Sequence, residues 1–459
     1  MGKELTQEWL DWILENIQQG CDRNELLEIL CKEGFDKSQS KIALGFEITS
    51  TDVNYEVDNA ANFNTSTQKE GLSIPFDEIQ EEGIEMFEIE NFLNEAECVE
   101  IIQIIKSKLR PSEIASSGEY DSSFRTSSTC DLGNLDLDVL KELDRRICEF
   151  IGINQSYSEV IQGQHYEIGQ EFKPHTDYFE GDQMQKYGGK RGQRTYTFMI
   201  YLNDVLKGGE TEFSRINKKI EPSLGKAVIW NNLDKKGNPN PNTLHHAHPV
   251  LKGSKTIITK WFREKGEGEE KINALNRDVR NFTSEGFKKA TLDKNLFKEI
   301  KDYYSNKKEE GKKEYVEGDF IHSRHKENPS YLIELSTELK NKIHSSLQEK
   351  LENWSKAKLI PTFVYGIREY KEGSVLVPHR DRERTHIISA IINVDQDLDE
   401  EWPLLIEDHY YRKHEVYLKP GEIVFYEGAK LLHGRPNEMQ GTSYANIFVH
   451  FMPDEEMTA

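Results

Sequence analysis

Five residues recur at one spacing in two places along the chain. Tyr166, Gly169, Pro174, His175 and Asp177 sit in YEIGQEFKPHTD, and Tyr370, Gly373, Pro378, His379 and Asp381 sit in YKEGSVLVPHRD. Farther on, GKAVIW from Gly225 is matched by GEIVFYEG from Gly421, and each is followed by a histidine on an apolar stretch, His245 or His433. A single His-x-Asp arises often by chance, whereas the same ordered set met twice marks an internal repeat. On a strand, residues i and i+2 face the same side, so His175 and Asp177 can reach one metal ion from a rigid edge. A histidine from a distant strand completes a face of two imidazoles and one carboxylate. That is the ligand set of non-haem Fe(II) centres with open positions. An oxidisable co-substrate can take two of those positions and oxygen the third, which a closed four-ligand site would forbid.

If the co-substrate is 2-oxoglutarate, its ketoacid end chelates iron and its far carboxylate needs a buried cation or hydrogen-bond donors. Lys255, ten residues past His245 on the next strand, is placed for that role, and Lys260 is out of register. His246 and His248 crowd the distal ligand position; the interval to Lys255 favours His245 and leaves the other two as strand neighbours. Tyr166 and Tyr201 also suit a plain core role, because strands favour aromatic side chains.

The elements that must position these residues follow from the apolar pattern. Residues 1–45 read as a small helical segment, with Thr6 capping a helix through Trp9, Leu10, Ile13, Leu14 and Ile17. Asp22 and Glu25 form a capping box before a second helix, and GFDKSQSKIALG suits a third. Residues 46–85 read as a polar linker. From 86 to 265, helical segments around FLNEAECVEIIQIIKSKL and LDVLKELDRRICEFIGI give way to short strands and Gly-rich turns. Residues 266–282 read as a charged connector, and 283–459 as helices with a solvated KKEEGKKE face followed by a second strand-rich region. The expected fold is mainly β with flanking helices, two jelly rolls plus a small N-terminal helical segment.

Composition sets the outer limits. Lys and Arg number 59 against 81 Asp and Glu, a formal charge of −22. That field disfavours nucleic-acid and anionic-membrane partners, and no apolar run approaches the roughly 20 residues of a membrane span. Five cysteines without a CxxC pair, behind an N-terminus lacking a basic start and apolar run, suggest a reducing, cytoplasmic setting. Gly2 with Thr6 fits an N-myristoylation pattern, but no basic cluster follows it, and the match reads as accidental.

The stretch from about 86 to 265 resembles the prolyl 4-hydroxylase branch of the Fe(II)/2-oxoglutarate dioxygenases. The resemblance rests on RTSS at Arg125–Ser128, the Tyr166–Asp177 block, YLND from Tyr201, GGETEF from Gly208, and HHAHPVLKGSK from His245 to Lys255. It implies a double-stranded β-helix core, iron held by His175, Asp177 and His245, and 2-oxoglutarate held by Lys255 and the Tyr201 hydroxyl with Tyr166 lining the pocket. It further implies substrate contacts at Arg194 and Trp261, O2 as oxidant and ascorbate supporting turnover, and residues 178–193, with Gly181, Gly188, Gly189 and Gly192, read as a lid over a peptide. The substrate it implies is a prolyl residue of a peptide or protein, hydroxylated with release of succinate and CO2. A tyrosine frequent in the family three residues before the first iron ligand is Phe172 here, which removes a hydroxyl.

The second repeat keeps His379, Asp381 and His433 as a lower-ranked metal face and departs at the anchor. Ser443 stands ten residues after His433, and the Tyr201 counterpart falls near Ile391 or Ile392. Arg368, Arg382, Arg384 or Arg435 could substitute, and nothing in the sequence selects one. An iron-binding but catalytically silent scaffold is the favoured reading of this region. For the whole chain, the alternatives are the same chemistry on another side chain or small molecule, or a non-catalytic protein-binding module with vestigial iron sites.

Overall fold

The computed structural model describes residues 83–112, 123–272, 279–314 and 329–454, together with 316, 320–323 and a few positions before 83. Two compact units emerge, Met1–Asn62 and Phe63–Ala459. In the first, the helix Arg23–Lys32 contributes Leu26, Leu27 and Leu30 to a small cluster with Phe35 and Leu44. The expected caps at Thr6 and Asp22, and most of the other two expected helices, lie outside the described residues.

The second unit contains two jelly rolls. The first has a seven-stranded sheet ordered Met86–Ile89, Ala227–Asn231, Arg194–Tyr201, Lys255–Arg263, Gln162–Tyr166, Ser128–Cys130 and Arg110–Pro111. A four-stranded sheet ordered Lys218–Ile220, Thr211–Phe213, His245–Ala247 and Phe172–His175 accompanies it. The second jelly roll repeats the plan. Its seven-stranded sheet runs Phe287–Thr291, Glu422–Tyr426, Ile388–Leu398, Gly441–Pro453, Leu359–Lys371, Ser330–Ile333 and Lys312–Lys313. Its five-stranded sheet runs Ile321–Ser323, Ser374–His379, His433–Arg435, Leu404–Glu407 and Lys413–Val416.

Strand alternation divides the interior of each jelly roll into two layers. In Arg194–Tyr201, Phe198 and Ile200 pack with Ile101, Ile105, Leu143 and Ile147 of the helices Glu95–Ser107 and Asp138–Ile151. Met199 and Tyr201 instead join Tyr166, Phe213, Trp230 and Ala247. In the second jelly roll Ile392 packs with Ile343, Leu347 and Leu351 of the helix Thr337–Ser355, and Ile391 faces Tyr426, Tyr444 and Phe448. The helices therefore cover the back of each large sheet and leave the other face to build a site. The repeated glycines have a backbone reason: Gly169 and Gly373 adopt φ of 81° and 74°, and Gly225 and Gly421 adopt 74° and 89°, a region other residues resist.

Two details differ from the sequence reading. The segment 46–85 contains the strand Phe63–Thr65, paired antiparallel with Lys265–Glu267 where the first strand-rich region meets the connector; backbone pairing asks for no apolar side chains, so composition gave no sign of it. The KKEEGKKE run is not wholly a solvated face, because Glu314 at its end turns inward onto Arg368. The two jelly rolls also touch: Arg146, buried, donates to the carbonyls of Phe92 at 2.8 Å and Tyr410 at 3.1 Å, and pairs with Glu97.

Candidate active site

His175 ends the strand Phe172–His175, and His245 begins its antiparallel neighbour, the two being register partners. Cross-strand pairing brings the rings within reach, with centroids 4.2 Å apart. Each ring is then aimed by a backbone hydrogen bond: His175 Nδ1 donates to the Lys173 carbonyl at 2.8 Å and His245 Nδ1 to the Thr243 carbonyl at 2.9 Å. A carbonyl can only accept, so the proton sits on Nδ1 and the Nε2 lone pairs are left for a metal. Asp177 Oδ2 accepts from the Thr197 hydroxyl at 2.7 Å, which leaves Oδ1, 3.9 Å from His175 Nε2. Ligand atoms of the three side chains lie within 4.8 Å of one another. The donor set, the tautomers and the remaining open side all fit Fe(II).

Charge states agree with that use. Burial holds His175 well below the ordinary histidine range, and His245 pushes in the same direction. Burial works to raise Asp177, but His245, His175 and Arg194, with the Thr197 hydrogen bond, keep it below the usual carboxylate range. Neutral imidazole and ionised carboxylate are the ligating forms. Around them Phe172 stacks on His175 at 3.5 Å, and Trp230 meets His245 edge-on at 5.1 Å. The adjoining cavity, about 30 Å³, is lined by these residues together with Gln164, Tyr166, Thr211, Ala247, Ile257 and Trp261.

Lys255 is in register with Tyr166, with Nζ 4.4 Å from the centre of the Tyr166 ring and donating to the Gly209 carbonyl at 2.9 Å. Tyr201 donates to the Thr211 hydroxyl at 2.6 Å. Tyr166 and Thr211 line the cavity, so Lys255 and Tyr201 stand directly behind its wall. Tyr166 itself donates to Gln164 Oε1 at 2.9 Å.

His246 and His248 are turned to the opposite side of the strand, toward Glu171 and Glu212. Lys260, on the helix side of its sheet, pairs with Asp144.

Trp261 lines the cavity with its indole N–H unpartnered among the described residues. Arg194 lies over the Trp261 ring at 4.0 Å and is held by Glu159 through two hydrogen bonds of 2.8 and 2.7 Å, so stacking and ion pairing are both present. Sequence reasoning gave no role to two further cations. Arg263 shares Glu159 and holds the carbonyls of Tyr187, Gly188 and Gly192, fixing the 178–193 segment to the sheet. Arg125 lies over Phe172 at 4.9 Å, bonds Ser127 and Thr129, and acts electrostatically on Tyr166 and Asp177. The signal for Arg125 was the RTSST run, whose residues 125, 127 and 129 share a strand face.

The second jelly roll reproduces the geometry. His379 and His433 are register partners whose Nδ1 atoms donate to the carbonyls of Val377 and Leu431 at 2.8 and 2.9 Å. Asp381 Oδ1 lies 3.7 and 3.8 Å from their Nε2 atoms, and Oδ2 accepts from the Tyr426 hydroxyl at 3.1 Å. The anchor positions fall just beyond the expected ones. Tyr444, not Ser443, pairs with Tyr370 as Lys255 pairs with Tyr166. Asn393, not Ile391 or Ile392, pairs with Asn446 as Tyr201 pairs with Ile257. Eleven residues separate His433 from Tyr444 where ten separate His245 from Lys255, and one extra residue reverses the face of everything counted across it.

The comparisons with known proteins bear on the first jelly roll. Residues 161–263 match the sequence model of the 2OG-Fe(II) oxygenase superfamily. A probable prolyl 4-hydroxylase 10 of Arabidopsis thaliana is 31% identical over 253 residues, 48% of this chain and 86% of the relative. A probable prolyl 4-hydroxylase 6 of the same plant is 31% identical over 208 residues, 40% of this chain and 71% of the relative. The chain belongs to the prolyl 4-hydroxylase branch of the 2-oxoglutarate and Fe(II) oxygenases. Among solved structures, viral collagen prolyl hydroxylase vCPH from Paramecium Bursaria Chlorella virus-1, in its 2OG complex, is 26% identical with a TM-score of 0.32, covering 39% of this chain and 95% of its own. The family model ends before the second metal face begins.

Replacing Thr197 by Val removes the hydrogen bond that aims Asp177. Fe(II) affinity of this site, measured anaerobically with His379 changed to Ala, is expected to fall roughly 10–100-fold. His246→Ala, on the far side of the strand, leaves it unchanged.

Proposed function

We propose that the first jelly roll hydroxylates a prolyl residue within a peptide or protein, using Fe(II), 2-oxoglutarate and O2 and releasing succinate and CO2, with ascorbate sustaining repeated turnover. The observation that carries this reading is Lys255, a fully buried ammonium whose hydrogen bond is to a backbone carbonyl, set behind the wall of the cavity that holds the three ligand side chains. A buried cation in that state favours an anionic ligand. The far carboxylate of 2-oxoglutarate meets the requirement, and the relatives' prolyl 4-hydroxylase names support the substrate class.

His175, Asp177 and His245 would hold the iron. Bound together, iron and 2-oxoglutarate supply an oxidative decarboxylation that delivers one atom of O2 to a C–H bond and the other to succinate. The chain supplies geometry. Backbone-tethered imidazoles cannot rotate away, and Thr197 keeps Asp177 presenting a single oxygen. Phe172, Trp230 and Ile257 keep the surroundings dry, which limits side reactions with water. Trp261 offers its unpaired indole N–H and a flat ring, fixed by Arg194, as the surface on which a peptide is positioned.

Burial lowers the Lys255 pKa to about 7, with Glu210 opposing the shift. The protonated form binds the carboxylate, so affinity is complete below that pH and is lost above it. The 2-oxoglutarate dissociation constant of the first site, titrated anaerobically with Mn(II) and His379 changed to Ala, should therefore stay flat below pH 7 and rise about tenfold per pH unit above it. A constant value from pH 6 to 9 would remove Lys255 from the anchor role.

A proteome-derived peptide library incubated with enzyme, Fe(II), ascorbate and 2-oxoglutarate should yield peptides heavier by one oxygen on proline, with one succinate per modified residue. Oxygen placed on another residue type would replace the substrate and keep the chemistry. Failure to produce succinate with any peptide, alongside partner binding that survives His175→Ala, would mark a binding module instead.

A further inference from the structure

Behind the second metal face the cation has changed strands. Two residues after the distal histidine, the first jelly roll has Ala247 and the second has Arg435, the two in equivalent register beside Phe172 and Leu376. Where the first has Lys255, the second has Tyr444. A small residue with a lysine has become an arginine with a tyrosine, and the positive charge stays inside the barrel.

Arg435 has no exposed surface. Its guanidinium lies 5.1 and 4.9 Å from the ring centres of Trp402 and Tyr444. Nε donates to the Trp402 carbonyl and Nη2 to the Tyr444 hydroxyl, both at 3.3 Å, so neither partner is a carboxylate. Nη1 has no partner among the described residues. A guanidinium taken out of water without an anion is costly. Residues 433 and 435 face the same side of one strand about 6.6 Å apart, close to the reach of a five-carbon dicarboxylate chelating a metal at its other end.

The other cations near this face are paired, bonded to backbone or exposed. Arg368 is held by Glu314 through two hydrogen bonds of 2.7 Å, Arg380 donates to the Lys430 carbonyl at 3.0 Å, and Arg382 and Arg384 are exposed. The cavity at this face measures about 460 Å³, a size suited to a small molecule, and includes His379, Asp381, His433, Leu376, Arg368 and Tyr426 in its lining. Arg435, the register partner of Leu376, stands behind that wall as Lys255 stands behind the wall of the first cavity.

We propose that the second jelly roll is a binding site in its own right, for a divalent metal at His379, Asp381 and His433 and for a 2-oxo dicarboxylate of the 2-oxoglutarate class whose far carboxylate is received by Arg435 and the Tyr444 hydroxyl. It stands whether or not the first site turns over prolyl peptides.

The test uses the full chain with His175→Ala and Lys255→Met, which disable the first site, so failure here leaves the proposed prolyl hydroxylation untouched. Anaerobic calorimetry with Mn(II), then with 2-oxoglutarate, should give one metal and one 2-oxoglutarate per chain. Pyruvate, a 2-oxo acid lacking the far carboxylate, should bind roughly 30-fold or more weakly. Adding Arg435→Met should erase that difference while metal stoichiometry holds. Absence of 2-oxoglutarate binding, or pyruvate binding as tightly as 2-oxoglutarate, overturns the proposal. Both readings use an intact Arg435, so they decide the matter even if Arg435→Met does not fold.

Discussion

Each of the four histidines at the two metal faces is fixed by one backbone hydrogen bond, from Nδ1 to the carbonyl two residues earlier. The bond sets the tautomer and the ring direction together, so Nε2 projects from the strand as a lone pair and not as a donor. It works because the histidines are placed opposite one another in antiparallel register, His175 with His245 and His379 with His433. The large sheets and their covering helices hold those strands in place, and the acidic ligand is oriented by a neighbouring hydroxyl, Thr197 in one case and Tyr426 in the other.

The equivalent faces differ in what surrounds them. The first is tight and apolar, with a cavity of about 30 Å³ and the cation behind its wall, whereas the second opens to about 460 Å³ with several arginines nearby. The Arg194 and Trp261 plate of the first becomes a stacked pair of His386 and His450, 3.8 Å apart, in the second. Burial raises Asp381, while His245, His175, Arg194 and the Thr197 hydroxyl together hold Asp177 low against its own burial. One scaffold therefore presents the same ligand atoms in two electrostatic settings, and a shared metal face does not imply a shared substrate.

Much of this was legible in the sequence. Spacing alone paired the five-residue blocks and put each aspartate beside its histidine, although the strands end at His175 and His379 and the aspartates follow just beyond them. The two-sheet layout followed from short strands between Gly-rich turns. What escaped depended on register across irregular connections. One extra residue after His433 moved the anchor position from Ser443 to Tyr444, and Arg435, one of four arginines the sequence offered, could not be selected until burial singled it out. Arg263 was silent because it acts through contacts distant in the chain, on the 178–193 segment, and Arg125, though it opens the quoted RTSS motif, gave no sign of its contact with Phe172. Glu314, in a run of exposed charges, turns inward because the partly buried guanidinium of Arg368 pairs with it.

The most direct measurement is an anomalous difference map from crystals of the full chain grown anaerobically with Mn(II) and 2-oxoglutarate. A peak bonded to His175 Nε2, His245 Nε2 and Asp177 Oδ1, with the ketoacid completing the coordination and its far carboxylate at Lys255, is the expected result. Metal bound through His246 and His248, or a peak bonded to only one of the two tethered histidines, would contradict it.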